Sequence, residues 1–185
     1  MTEFARRQPV PETPGTCWRP MPPSTRFSLR VDVDAAAARA AADPAADLIP
    51  IATIPCRAVV RGDWAALWLG PDEQLLIGPD QTGPDLIATV ARALHGVAHS
   101  LVDVSHRQGA LEVTGPHAAA LINAGCPLDL DLATAPVTFC SRTILGKAEI
   151  VLWRRTDDGF QLQAGRSFMP YVTAFLAVAC ISTTN

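Results

Sequence analysis

From Phe27 the chain alternates. Phe27, Leu29, Val31 and Val33 are separated by Ser28, Arg30 and Asp32, the two-residue period of a half-buried strand. The alanine run 35–42 predicts a short helix that ends before Pro44, because a residue ahead of proline is pushed out of helical backbone geometry. "CRAVVRG", "WAALWLG" and "QLLIG" then predict three strands, the last two joined as a hairpin at Gly70-Pro71-Asp72. In "PDLIATVARALH", residues 84–95, Leu86, Ile87, Val90, Ala91 and Leu94 share one helical face, with Pro84 in the first turn and Gly96 just past the end. Two more strands, "VAHSLVDVS" and "ALEVTG", precede a helix from Pro116 to about Ala124, closed by Gly125. "FCSRTIL", "AEIVLWR" and "GFQLQAG" complete the strands, the last two turning at Asp157-Asp158-Gly159. A final helix from about Ser167 is expected to bury Phe168, Tyr171, Val172, Phe175 and Ala179. Hairpin-linked strands with three to four interspersed helices predict an α+β fold with a largely antiparallel sheet and disfavour a doubly wound nucleotide-binding fold.

Residues 1–26 break this regularity. They hold Pro9, Pro11, Pro14, Pro20, Pro22 and Pro23 and show neither period, so they read as a proline-rich extended arm ahead of a single domain over 27–185. Trp18 in that arm, with Phe4, Cys17 and Met21, is more apolar surface than a spacer needs, and points to an arm that lies against a partner.

Composition narrows the partner classes. The 185 residues are 49% hydrophobic and 18% charged, enough apolar material for a core. A net charge of −3 and a pI near 5.7 lack the basic footprint of a nucleic-acid binder. The longest apolar run, "VTAFLAVACI", is about half a membrane span, so a soluble, cytoplasmic protein is expected. Cys17, Cys56, Cys126, Cys140 and Cys180 are scattered without a CxxC, which reads as free thiols in a reducing compartment.

"VDVSHRQGALEVTGPHAAALINAG", residues 102–125, brings Asp103, Ser105 and His106 close in sequence, but neighbours in an extended strand point to opposite faces, so Ser105 and His106 do not meet as nucleophile and base. Ser105 reads instead as a turn residue bonding local backbone. His95 and His99 have the spacing of a helical metal pair, yet Gly96 and Val97 interrupt the helix and no acid or thiol completes a shell. The single glycine before Pro116 is a poor phosphate cradle, because proline has no N–H to give. Glu149 stands between Ala148 and Ile150 in an apolar strand, where burial would raise its pKa; the favoured reading places it on the exposed face or beside Arg142 or Lys147. No metal site, cofactor site or catalytic set emerges, which suits a subunit that packs against others.

The 102–125 stretch resembles aminomethyltransferase-type folate proteins, in which a D-x-S-H segment runs into a strand and a G-P-x-A helix. "ALWLGPDEQLLIG", "NAGCPLDLDL", "SRTILGKAEIVLWRR" and "GFQLQAGRSFMPYV" together resemble the gamma subunit of heterotetrameric sarcosine oxidase, over roughly residues 55–180. The resemblance implies an aminomethyltransferase-like folate-binding scaffold serving as a non-catalytic assembly subunit. The complex would oxidise sarcosine to glycine and hydrogen peroxide and pass the one-carbon unit to tetrahydrofolate as 5,10-methylenetetrahydrofolate. It also implies alpha, beta and delta subunits as partners, alpha most directly, with FAD, FMN, NAD, tetrahydrofolate and zinc on those subunits and none on this chain. Trp18, His106, Arg107, Arg142 and Lys147 are the candidate partner contacts. Aminomethyltransferases carry a G-x-x-D-D stretch where this chain has "GKAEI"; Glu149 matches the first acid and Ile150 stands in place of the second, so independent folate chemistry is not implied. A stand-alone folate-binding or aminomethyl-transfer protein is the alternative.

Overall fold

A computed structural model describes residues 17–42 and 49–183. Among these residues ten strands and four α-helices run in the order β1 (Trp18–Pro20), β2 (Thr25–Val31), α1 (Val33–Ala42), β3 (Ala58–Arg61), β4 (Trp64–Gly70), β5 (Glu73–Gly78), α2 (Gly83–Ala93), β6 (His99–Asp103), β7 (Gln108–Thr114), α3 (Ala118–Asn123), β8 (Cys140–Leu145), β9 (Ala148–Thr156), β10 (Gly159–Gly165) and α4 (Met169–Thr183). The strands form two antiparallel five-stranded sheets rather than one: β1-β7-β10-β9-β8 and β3-β4-β5-β2-β6.

The alternating residues explain the stacking. In the first sheet Leu111, Val113, Ile150, Leu152, Phe160 and Leu162 pack against Leu121 and Ile122 of α3 and Val172 and Leu176 of α4. In the second, Phe27, Leu29, Val31, Ala66 and Leu76 pack against Ala36 of α1 and Leu86 and Val90 of α2. The other faces meet each other: Ala58, Ala65, Leu67, Leu75 and Ile77 from one sheet against Cys140, Val151 and Trp153 from the other. Both sheets are thus covered on two faces, giving a helix–sheet–sheet–helix sandwich.

Several expectations change at the edges of elements. β2 stops at Val31 because Asp32 caps α1, its carboxylate accepting from the Ala35 N–H at 3.0 Å. α4 starts at Met169 after a tight turn over Arg166–Phe168, and buries Met169, Val172, Leu176 and Ala179; Phe168 and Tyr171 are exposed, contrary to the inward face expected of them.

The arm ends sooner than its composition suggests. From Trp18 the chain is a strand on β7, with Trp18 opposite Val113 and 5% exposed, and β2 begins at Thr25. Proline is tolerated at this position because β1 lies at the sheet edge. Phe4 and the prolines up to Pro14 lie outside the described residues. The expectation of five free thiols also needs correcting. Cys17 and Cys180 are joined as a disulfide across 163 residues of sequence, because β1 and α4 share one face of the first sheet; Cys56, Cys126 and Cys140 are free.

Candidate functional site

The inter-sheet layer closes differently at its two ends. At one, Glu73 of β5 accepts from Arg142 of β8 at 2.6 and 3.3 Å and from Arg30 of β2 at 3.1 Å, while Arg30 also reaches Asp72 at 3.2 Å. Glu149 comes within 3.8 Å of Arg142 but is 74% exposed. The hydrogen bond that Arg142 donates to Glu73 raises the Arg142 pKa; burial opposes it, and the charges of Glu73 and then Glu149 add smaller upward effects.

At the other end the polar groups are buried. Arg26, 2% exposed, donates from Nε to Gln163 Oε1 at 2.5 Å and from a terminal nitrogen to the Ser24 carbonyl at 3.3 Å. Ser105 joins the same strand: its hydroxyl accepts from the Arg26 N–H at 2.8 Å and donates to the Arg26 carbonyl at 3.2 Å, while its own N–H donates to Asp103 at 2.8 Å. Ser105 is therefore committed to backbone, and His106 is exposed in the turn between β6 and β7. The arrangement offers no nucleophile–base pair.

Beside this buried cluster an open cleft of about 540 Å³ lies between the sheets. Met21–Ser24, the β3–β4 hairpin, the end of β5, Val137 and Thr138, and Trp153–Arg155 of β9 form its walls. Trp153 is 7% exposed, Arg155 lies over its ring at 5.1 Å, and its indole N–H has no acceptor among the described residues. Arg154 lies over Phe160 at 4.5 Å and donates to the carbonyls of Leu130 and Asp157; desolvation lowers its pKa. Thr138 has φ +78°, a left-handed geometry that costs a β-branched residue energy, held by its N–H to the Arg154 carbonyl at 3.0 Å.

The candidate contacts from sequence do not form one site. Trp18 is spent inside the core, which corrects its assignment to a partner surface: pairing β1 with β7 turns the indole onto α3 and α4. His106 and Arg107 are exposed in the β6–β7 turn. Arg142, on edge strand β8, is engaged with Glu73, and Lys147 is exposed in the β8–β9 turn, its backbone N–H donating to the Tyr171 hydroxyl at 3.1 Å. β10 and β9 separate β7 from β8. His95 follows α2 while His99 opens β6, its Nδ1 2.8 Å from the Val97 carbonyl. Sequence reasoning missed Arg26, Trp153, Gln161 and Gln163. Gln161 and Gln163 alternate with Phe160, Leu162 and Ala164, which reads as a solvent face until both faces of the sheet are known to be covered.

A folate carboxylate partner is not found where the aminomethyltransferase pattern would put it. Ile150 is 1% exposed within the helix-backed core, and Glu149 points to the opposite, exposed side. The residues present do not fit that role.

The sarcosine oxidase gamma subunit family model matches residues 30–182. A sarcosine oxidase subunit gamma from Corynebacterium sp. strain P-1 is 32% identical over 112 residues, 60% of this chain and 54% of that one, so the chain matches about half the length of the curated relative. Among solved structures, a chain of heterotetrameric sarcosine oxidase from Corynebacterium sp. U-96, in complex with pyrrole 2-carboxylate, is 25% identical with a TM-score of 0.76, covering 91% of this chain and 85% of that one. The glycine cleavage system aminomethyltransferase T from Bartonella henselae shares the fold, with 14% identity and a TM-score of 0.54 over 85% of this chain and 44% of that one. No described helix is long and apolar enough to cross a membrane.

Proposed function

The chain belongs to the sarcosine oxidase gamma-subunit family, and from that premise we propose that it is a structural, non-catalytic subunit of a heterotetrameric, flavin-dependent oxidase. The observation that carries this is the family match over 30–182 on a sandwich aligned across 91% of the chain with a heterotetrameric sarcosine oxidase chain. The role is assembly because the fold offers no nucleophile–base pair among its described residues and fills the matched acid position with Ile150 in the core. On this reading its partners are the alpha, beta and delta subunits, alpha most directly, and FAD, FMN, NAD, tetrahydrofolate and zinc are carried by those other subunits. The complex oxidises the N-methyl group of sarcosine, giving glycine and hydrogen peroxide and transferring the one-carbon unit to tetrahydrofolate. The protein works in the cytoplasm.

Native mass spectrometry of the protein purified from its own cells tests the proposal. The expected result is a complex holding this chain with three different partner chains and oxidising sarcosine. A chain that purifies alone, with no affinity for those subunits, overturns it. Micromolar binding of tetrahydrofolate to the isolated chain by calorimetry, lost in Glu149→Ala, would favour a stand-alone folate protein instead.

A further inference from the structure

The chain carries its cysteines in two states. Cys17 and Cys180 are bonded to each other, while Cys56, Cys126 and Cys140 are free thiols. In the cytoplasm, where thiols are kept reduced, a disulfide is as a rule transient, catalytic or redox-sensing. Position decides which of the five can respond. Cys140 is sealed in the layer between the sheets, and Cys126 in the helix-backed core. Cys56 is half-buried, but its carbonyl takes the N–H of Cys140, whose thiol burial keeps protonated and so a poor partner for exchange. Cys17 and Cys180 are half-buried at the rim of the helix-backed core, where an oxidant and a reducing thiol can both reach sulfur.

The bond joins two elements that are otherwise lightly held at this point. β1 has three residues, one of them Pro20, which has no N–H to give to a ladder. Two backbone bonds flank it: the Thr114 N–H donates to the Cys17 carbonyl at 3.1 Å, and the Met21 N–H donates to the Ala110 carbonyl at 3.0 Å. Cys180 stands in the last turn of α4, which ends at Thr183. Trp18, buried next to Cys17, keeps β1 seated on the core without the bond. The Cα atoms of the pair are 6.8 Å apart, so the two sulfurs stay within reach of each other.

We propose that Cys17 and Cys180 form a reversible redox site, closed by a peroxide and opened by glutathione or a cellular dithiol, and that closing it clamps β1 to the end of α4. One thiolate attacks an oxygen of hydrogen peroxide and breaks the O–O bond. It becomes a sulfenic acid, and the hydroxide released takes up the thiol's proton as water. The second thiol then forms the S–S bond and expels the sulfenic oxygen as a second water, so that two electrons pass from the two sulfurs to the peroxide. Opening runs through a mixed disulfide, in which two thiols of the reductant are oxidised as the pair is reduced. The proposal rests on the reading of a cytoplasmic oxidase, whose peroxide product would be the oxidant, and adds a response to that product on this chain.

The test traps thiols with N-ethylmaleimide in the full chain taken from its own cells, before and after a pulse of hydrogen peroxide, and reads each cysteine by peptide mass spectrometry. Cys17 and Cys180 are expected to gain the bond in the pulse and to return to thiols as the cells recover, with Cys126 and Cys140 unchanged. Hydrogen exchange on the protein purified from those cells reads the clamp. The Met21 and Thr114 amides should exchange about tenfold faster after glutathione treatment, while amides between β9 and β10 keep their rate. Cys17→Ser should exchange like the reduced chain whether or not peroxide is added. A pair that stays bonded through glutathione, or stays reduced through the pulse, overturns the proposal. Equal exchange in the two states does so too, as does a Cys17→Ser chain that exchanges as slowly as the bonded one. Recovery of the chain outside the cytoplasm, on fractionating the same cells, would instead overturn the cytoplasmic reading and with it the cellular supply of oxidant and reductant.

Discussion

The two ends of the layer between the sheets use the same residue types to different effect. Around Glu73, Arg30 and Arg142 are 55% and 39% exposed, so water and salt screen their pairing. Around Arg26 the cation is 2% exposed and its bonds to Gln163 and Ser24 are made where water cannot replace them. A bond counts for little when its loss is repaired by solvent, and for much when its loss leaves a buried group alone.

The largest effect is therefore expected from Arg26→Ala, which strips Gln163 of its donor and opens the layer. About 3 kcal/mol of stability should be lost in urea unfolding. Arg26→Met with Gln163→Met, which removes both polar partners while keeping volume, should recover most of it; no recovery would mean that the cost is packing and not an orphaned group. Glu73→Gln at the opposite end should cost no more than about 1 kcal/mol, and less at high salt. A loss as large as that of Arg26→Ala would erase the contrast between the two ends.

A finer test uses the thiols of the seam itself. Burial pushes Cys140 from 9.0 up to about 12, outweighing the smaller lowering effect of its contact with the Trp68 carbonyl. The folded value is the higher one, so this contribution to stability is complete below pH 9 and is lost as pH rises from 9 toward 12. Cys140→Ala should flatten the fall in stability over that range. At pH 8 to 9 iodoacetamide should modify the partly exposed Cys56 well before the buried Cys140; equal rates would show that the seam opens.

Much of the fold was legible because strand periods are local. The hairpins at Pro71–Asp72 and Asp157–Asp158 fall where the turn residues put them, and α2 sits one or two residues from its predicted bounds. What the period does not carry is which faces meet. Trp18 looked like a partner's anchor because three residues of β1 have no period of their own; only β7, some ninety residues on, makes them a strand. The cysteine pair escaped for the same reason. The cleft was illegible because Gln161, Gln163 and Arg26 spell an exposed face, and only the second sheet makes them an interior one.

The crossing of the chain from one sheet to the other between Pro20 and Thr25 also sets an order of events. The second sheet is drawn entirely from residues 25–103, a contiguous stretch that comes off the ribosome early and closes through near neighbours. In the first sheet β1 pairs only with β7, so it waits for residues 108–114, while β8, β9 and β10 extend that sheet as far as Gly165. Among the described residues β1 is thus made well before its partner β7 and paired late, and that high sequence separation is expected to make its docking slow.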